Sequence, residues 1–400
     1  MKNFVEFFAG VGLVREGLSQ SNWNCVWAND ISSDKQEIYV ENFGEDDFWL
    51  GDIWDVAKNS SLIPNDIFLY TASFPCTDLS VAGGRAGLAG KESGTLNALF
   101  EILKNKKKVG SAPRVVLLEN VKGFLTSHNG KDVEQTVKYF SELGYFVDII
   151  ELDAIDFTPQ SRPRVFIIAV EGKLANQSMK IKNGLDLFDS WWADFEKFPY
   201  LRSDKIKKII LSNEDLNWAL IDINMPIKSS SRLSDIIETE IPDDSDLWWN
   251  DIRQDHLLDQ MSDNHKSSLF KMIEGSDYSY GTVYRRTRKG KPMAEFRTDG
   301  YAGCLRTPRG GSSKQIVIRA GKGNWKVRLL TSREYARLQG VRDCFRLPEN
   351  ANKGYFAMGD AVSVPVINYI AENVLNYLYS RSIAETTIIK NKSKSSKILT

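Results

Sequence analysis

The run Asn3-Phe4-Val5-Glu6-Phe7-Phe8-Ala9-Gly10-Val11-Gly12 decides the fold. Its apolar residues predict a strand over 3–8, its glycines a tight turn, and the pattern from Val14 to Gln20 a helix. Strand, glycine turn and helix form the opening of an α/β unit, in which amides at the helix start approach a ligand closely. Taken alone, the turn fits a dinucleotide site, a nucleoside site or a plain tight turn. Further strands are predicted over 24–28, 67–72, 114–118, 145–152 and 165–170, and helices over 34–42, 95–108 and 132–143. Such alternation predicts a mostly parallel sheet covered by helices on both faces, with ligands beyond the carboxyl ends of its strands.

After Gly172 the rhythm becomes irregular, with Trp191-Trp192, Trp218 and Trp248-Trp249 among clustered aspartates. Four segments are expected: a catalytic and cofactor-binding domain over 1–172, a second domain over 173–325, a return segment over 326–380, and a lysine-rich disordered tail over 381–400. Within the return segment Val362 to Tyr379 reads as one long amphipathic helix that fits back onto the first domain.

The 400 residues are 42% hydrophobic and 26% charged, ordinary values for a soluble protein. Cys25, Cys76, Cys304 and Cys344 are far apart and form no CxxC pair, and there are three histidines, so neither a disulfide framework nor a metal site is expected. No apolar stretch approaches membrane-spanning length, and a cytoplasmic protein without membrane partners is expected. The zero net charge conceals a strong asymmetry. Residues 213–263 hold thirteen acids against three bases, whereas 281–342 hold sixteen bases against three acids. The basic stretch is rich in arginine and interleaved with Tyr284, Tyr301 and Trp325, as a phosphate-tracking surface requires.

Three positions carry chemistry. Pro75-Cys76 follows a strand, a position that taken alone fits an accessible thiol and a buried structural one equally, and a glycine-rich loop from Val81 to Gly90 comes after it. Glu119 ends another apolar strand, and Arg162 and Arg164 precede the next, so Cys76, Glu119 and Arg164 are predicted to converge on one rim. At the other end Asp30 lies just past the second strand, where a carboxylate takes ribose hydroxyls, and Asp52 lies where it could accept an adenine amino group. An adenosine-containing cofactor suits the turn and both acids, and NAD also suits the turn and Asp30.

In order along the chain, these motifs resemble those of the DNA (cytosine-5) methyltransferases. Phe8-Ala9-Gly10-Val11-Gly12 is similar to the family's FxGxG turn, Pro75-Cys76 to its Pro-Cys motif, Glu119-Asn120-Val121 to its ENV motif, and Gln160, Arg162 and Arg164 to its QxRxR motif. Arg328 to Gly340 resembles RxLTxRExARLQG, and Gly359-Asp360-Ala361-Val362 stands where the family usually has GNxV. Three positions depart from the pattern: Asp360 replaces the usual Asn, Ser93 a common Arg, and Glu6 the usual Asp.

The resemblance implies a Rossmann-like S-adenosylmethionine-dependent core and a smaller irregular target-recognition domain. It assigns catalysis to Cys76, Glu119, Arg162 and Arg164. S-adenosylmethionine would be bound by Phe8, Ala9, Gly10, Val11, Gly12, Leu13, Asp30, Ile31, Asp52, Ile53, Pro75, Leu96, Asp360 and Val362, with no metal. Arg85, Arg285, Arg286, Arg288, Arg306 and Arg309 would contact double-stranded DNA, and Cys304 would be structural. The implied reaction adds Cys76 to C6 of a flipped-out cytosine and methylates C5, leaving S-adenosylhomocysteine. A cognate restriction endonuclease or defence-system proteins would be partners. Rival readings are a tRNA methyltransferase of the same fold, a catalytically silent DNA-binding homologue and a dehydrogenase. The Cys-Phe-Thr tripeptide of the RNA-specific members is absent, and a dehydrogenase would leave Pro75-Cys76 and the basic stretch unexplained.

Overall fold

The computed structural model describes residues 1–75, 94–182, 190–288, 290–308 and 314–384. Cys76, Arg85, Ser93 and Arg309, the loop 81–90 and the tail beyond 384 therefore lie outside the described residues.

Seven strands form the main sheet: β1 (Asn3–Phe7), β2 (Asn24–Asp30), β3 (Phe48–Leu50), β4 (Leu69–Ala72), β5 (Val115–Val121), β6 (Tyr145–Asp153) and β7 (Pro163–Glu171). Their order is β3-β2-β1-β4-β5-β7-β6, and β7 alone runs against its neighbours. Valine and isoleucine runs such as those in β5 and β7 are buried throughout, as a sheet covered on both faces requires. The helices α1 (Leu13–Ser19), α2 (Ser33–Phe43), α3 (Ile53–Lys58), α4 (Thr95–Lys108) and α5 (Lys131–Glu142) provide that cover. In α5, Val133, Thr136, Val137 and Phe140 are buried at helical spacing, while in α4 three terminal lysines complement the helix dipole.

Register aligns the functional edge. Phe7 pairs with Asn29 and Ala72, Ala72 with Leu118, and Val121 with Arg164. The ends of β1, β2, β4 and β5 and the start of β7 consequently share one rim.

A second, antiparallel sheet consists of four strands over Ser279–Arg288, Lys291–Arg297, Ile316–Gly321 and Asn324–Leu329. Apolar residues between 173 and 325, expected to belong to one domain, divide among three clusters, one of which gathers Leu201, Ile221 and Leu233 with α1 and the return segment. Trp191, Trp192, Phe195 and Trp218 pack with the main sheet, while Trp249, Leu257 and Leu269 pack with Val283 and Ile318 of the small one. The return segment closes on the main sheet through helix Val364–Ile370, which packs against α1 at Gly17, where a Cβ would lie 2.7 Å from Ile367. The expected long helix is present with one irregularity: it passes into a π-helical turn, Ala371–Leu375, and continues helically to residue 384.

Candidate active site

At the glycine turn, Phe8, Gly10 and Gly12 all have positive φ, and Gly12 caps α1. A side chain at Gly12 would meet the Phe43 ring at 2.5 Å and Tyr39 at 2.9 Å, so this glycine is needed for close packing as well as for backbone freedom. Asp30 ends β2, with Oδ2 accepting from the Gly10 amide at 2.8 Å and Oδ1 from the Ser32 amide at 2.9 Å. Turn and carboxylate thus hold each other in place. Asn29 donates to the carbonyls of Trp49 and Gly51, fixing the loop that carries Asp52, and Asp52 caps α3 through the Trp54 amide at 3.0 Å. Beside Asp30, Ile31 is 70% exposed, whereas Ile53 is buried. Ala9, Val11, Leu13 and Val362 are also buried, and Pro75 is half-buried. Leu96, also expected at the cofactor, lies at the start of α4 and is buried.

On the chemical side, Glu119 Oε1 meets Arg164 Nε at 2.9 Å, and both side chains are largely buried. Next to Glu119, the Asn120 side chain donates to the Phe74 carbonyl at 3.0 Å, and Phe74 packs edge-on against Phe124. Asn120 therefore ties the end of β5 to the backbone two residues before Cys76. Sequence reading quoted Asn120 within its motif and assigned it no role.

Arg162 stands near Arg164, as expected, but its guanidinium is taken up by protein carbonyls. Its buried guanidinium donates to the carbonyls of Leu305, Gly359 and Ala361 and, at 3.4 Å, to Cys304 Sγ. It joins β7 to two later segments. Gln160 donates to the Leu338 carbonyl and accepts from the Leu305 amide, and Gln339 donates to the carbonyls of Met358 and Ala361. Four separated motifs thus form one knot. Gly359 belongs to it because a Cβ there would lie about 2.5 Å from the Arg306 backbone. Burial raises the Cys304 thiol, but Arg162, Arg164 and Arg306 outweigh it and hold the thiol below its ordinary value. The sequence places this cysteine in a stretch, Gly303 to Gly311, that resembles the end of the family's recognition domain, but nothing in that stretch forecasts its arginine surroundings.

Asp360 at the end of helix Ala351–Asp360 pairs with Lys35 of α2 at 3.4 Å, a partner that sequence reading did not anticipate.

The arginines of the small sheet do not share one face. Side chains alternate along a strand, so Arg286 and Arg288 share the face of Tyr284, while Arg285 shares that of buried Val283. Arg306 lies over the Tyr284 ring, its Cζ 5.3 Å from the centroid, and donates to the hydroxyl at 3.1 Å. Arg286 is engaged with Glu295 at 2.6 Å. Among the described residues, no group of three or more histidine, cysteine, aspartate or glutamate side chains could hold a metal, and no helix is long and apolar enough to cross a membrane.

A central seven-stranded sheet with its last strand reversed, a glycine turn above paired acids and a buried Glu–Arg pair on the same rim define a Rossmann-like methyltransferase. The sequence profile of the C-5 cytosine-specific DNA methylases matches residues 2–376, and the chain belongs to that family as a DNA (cytosine-5) methyltransferase. It is 26% identical over 374 residues to the Type II methyltransferase M.HhaI of Haemophilus parahaemolyticus, covering 93% of each chain. Identity to M.HaeII of Haemophilus aegyptius is 29% over 375 residues, 94% of this chain and 93% of that one. Among solved structures, the Entamoeba histolytica methyltransferase EhMeth shares the fold with a TM-score of 0.59 at 15% identity, covering 94% of this chain and 98% of that one.

Proposed function

We propose that the chain transfers a methyl group from S-adenosylmethionine to C5 of cytosine in a specific double-stranded DNA sequence, through a covalent bond between Cys76 and C6 of a flipped-out base. The carrying observation is the Glu119–Arg164 pair, adjoining the Asn120 bond that holds the backbone leading to Cys76. The described residues fit the donor: exposed Ile31 offers an apolar surface to a purine, and Asp30 and Asp52 stand beside it with acceptor oxygens. Gly10, where a Cβ would meet nothing nearer than Lys35 Cδ at 4.0 Å, leaves room for the amino-acid end.

When bound, S-adenosylmethionine supplies an electrophilic methyl group. The chain prepares the acceptor. Addition of the Cys76 thiolate to C6 pushes charge toward N3, where Glu119 meets it with a proton or hydrogen bond. Arg164 orients Glu119 and holds the O2 side of the ring. Loss of the C5 proton and departure of the thiolate then restore aromaticity. Extrusion of the base from the duplex costs a few kcal/mol, repaid within the site.

M.HhaI and M.HaeII are Type II methyltransferases by name. We infer a restriction-modification or phage-defence setting here too, in the cytoplasm, with a cognate endonuclease or defence proteins as partners. The test is transfer of labelled methyl groups to duplex DNA by wild type and by Cys76→Ala, with bisulfite sequencing to give the methylated motif. Label in DNA that persists in Cys76→Ala refutes the covalent step. Label entering tRNA but not duplex DNA overturns the substrate.

A further inference from the structure

The GNxV-like motif carries an acid, Asp360, where the family usually has an uncharged amide. Lys35 faces it from α2, with Nζ 3.4 Å from Asp360 Oδ2. The two side chains are 30% and 46% exposed, and an ion pair that open to water contributes little to stability. Its location is more informative. A Cβ built on Gly10 would lie 4.0 Å from Lys35 Cδ, so the lysine stem passes beside the glycine turn whose amide is held by Asp30. The backbone that carries Asp360 is fixed, because Arg162 and Gln339 together grip the carbonyls of Met358, Gly359 and Ala361 around it. Two opposite charges from elements far apart in sequence thus meet beside the same turn.

We propose that Lys35 and Asp360 form a clasp for the amino-acid end of the methyl donor, with Asp360 taking the α-ammonium and Lys35 the α-carboxylate. The inference rests on the donor assignment above. A zwitterion presents one group of each sign, and a pre-paired lysine and aspartate match it by exchanging one ion pair for two. The pair also accounts for the departure at Asp360. A lone carboxylate at this position would repel the donor's carboxylate, and the Lys35 ammonium offsets that repulsion.

The test is calorimetric titration of the full chain with S-adenosylhomocysteine, which retains the amino-acid end, and with 5′-methylthioadenosine, which lacks it. Lys35→Met and Asp360→Asn are each expected to weaken S-adenosylhomocysteine about tenfold or more while leaving 5′-methylthioadenosine within about twofold of wild type. Retained affinity for the truncated ligand also reports that the variants are folded. The clasp is overturned if S-adenosylhomocysteine binding stays within twofold of wild type in either variant, or if both ligands weaken equally. A wild-type chain that binds neither ligand overturns the donor assignment itself, and the clasp with it.

Discussion

At the scale of single residues, two buried glutamates have opposite surroundings. Glu119 has Arg164 Nε at 2.9 Å, so its carboxyl has a polar partner. Replacing it with glutamine keeps the shape but removes the group that meets charge at N3. Glu119→Gln should therefore lower the single-turnover rate of methyl transfer to DNA by about 10²–10⁴-fold while leaving S-adenosylhomocysteine binding unchanged in calorimetry. An unchanged rate would remove Glu119 from the mechanism. Glu6 is almost fully buried in β1, and no side chain hydrogen-bonds either oxygen. Burial pushes its carboxyl up from 4.5 to about 8, with Arg15 opposing. A carboxyl raised on folding binds its proton more tightly in the native state, so its stabilising contribution is complete below pH 4.5 and is lost as pH rises through about 8. Urea midpoints should therefore fall more between pH 5 and pH 8 for wild type than for Glu6→Gln. Parallel profiles would show that the site is hydrated or paired.

At the scale of elements, the knot around Arg162 explains why motifs so far apart in sequence form one working edge. Gly359 is its tightest point, and Gly359→Ala would drive a methyl group into the Arg306–Thr307 backbone. The expected result is a loss of about 1–3 kcal/mol in denaturant unfolding, together with weaker S-adenosylhomocysteine binding because Asp360 moves with its neighbour. A variant as stable as wild type would mean that the strand of backbone facing it yields freely. The elements themselves were largely legible. The buried runs in β5 and β7 carry enough consecutive apolar residues to exclude other readings, and α4 matched its predicted span of Thr95–Lys108. β3 was missed because three residues at a sheet edge carry no period, and α3 because its signal is a single Asp52 cap. The role of Arg162 was hidden for a different reason. Its spacing from Arg164 places both at the start of β7, but only tertiary contacts with Leu305, Gly359 and Ala361 decide which of the two turns inward. Lys35 was illegible because nothing in a helix start forecasts a partner more than 300 positions away.

At the scale of the whole molecule, the separation of charge along the sequence becomes an asymmetry between the faces of the small sheet. Composition identified a basic stretch, but strand alternation decides which arginines can reach a phosphate. Arg288 is exposed, and Arg306 is held over Tyr284 on the same face, whereas Arg286 already pairs with Glu295 and Arg285 lies on the face of buried Val283. Each phosphate neutralised on duplex DNA contributes about −0.9 to the slope of log K against log salt. Arg288→Ala and Arg306→Ala should each flatten that slope by about 1 and weaken binding across sequences, as measured by fluorescence anisotropy over a salt series. Arg286→Ala should flatten it less, because removing the arginine also frees Glu295 to repel the backbone without changing the number of uncommitted cations. Arg285→Ala should leave the slope unchanged. If Arg285→Ala flattened the slope as much as Arg288→Ala, DNA would have to lie across both faces of the sheet, and the assignment of a single DNA-facing surface would fail.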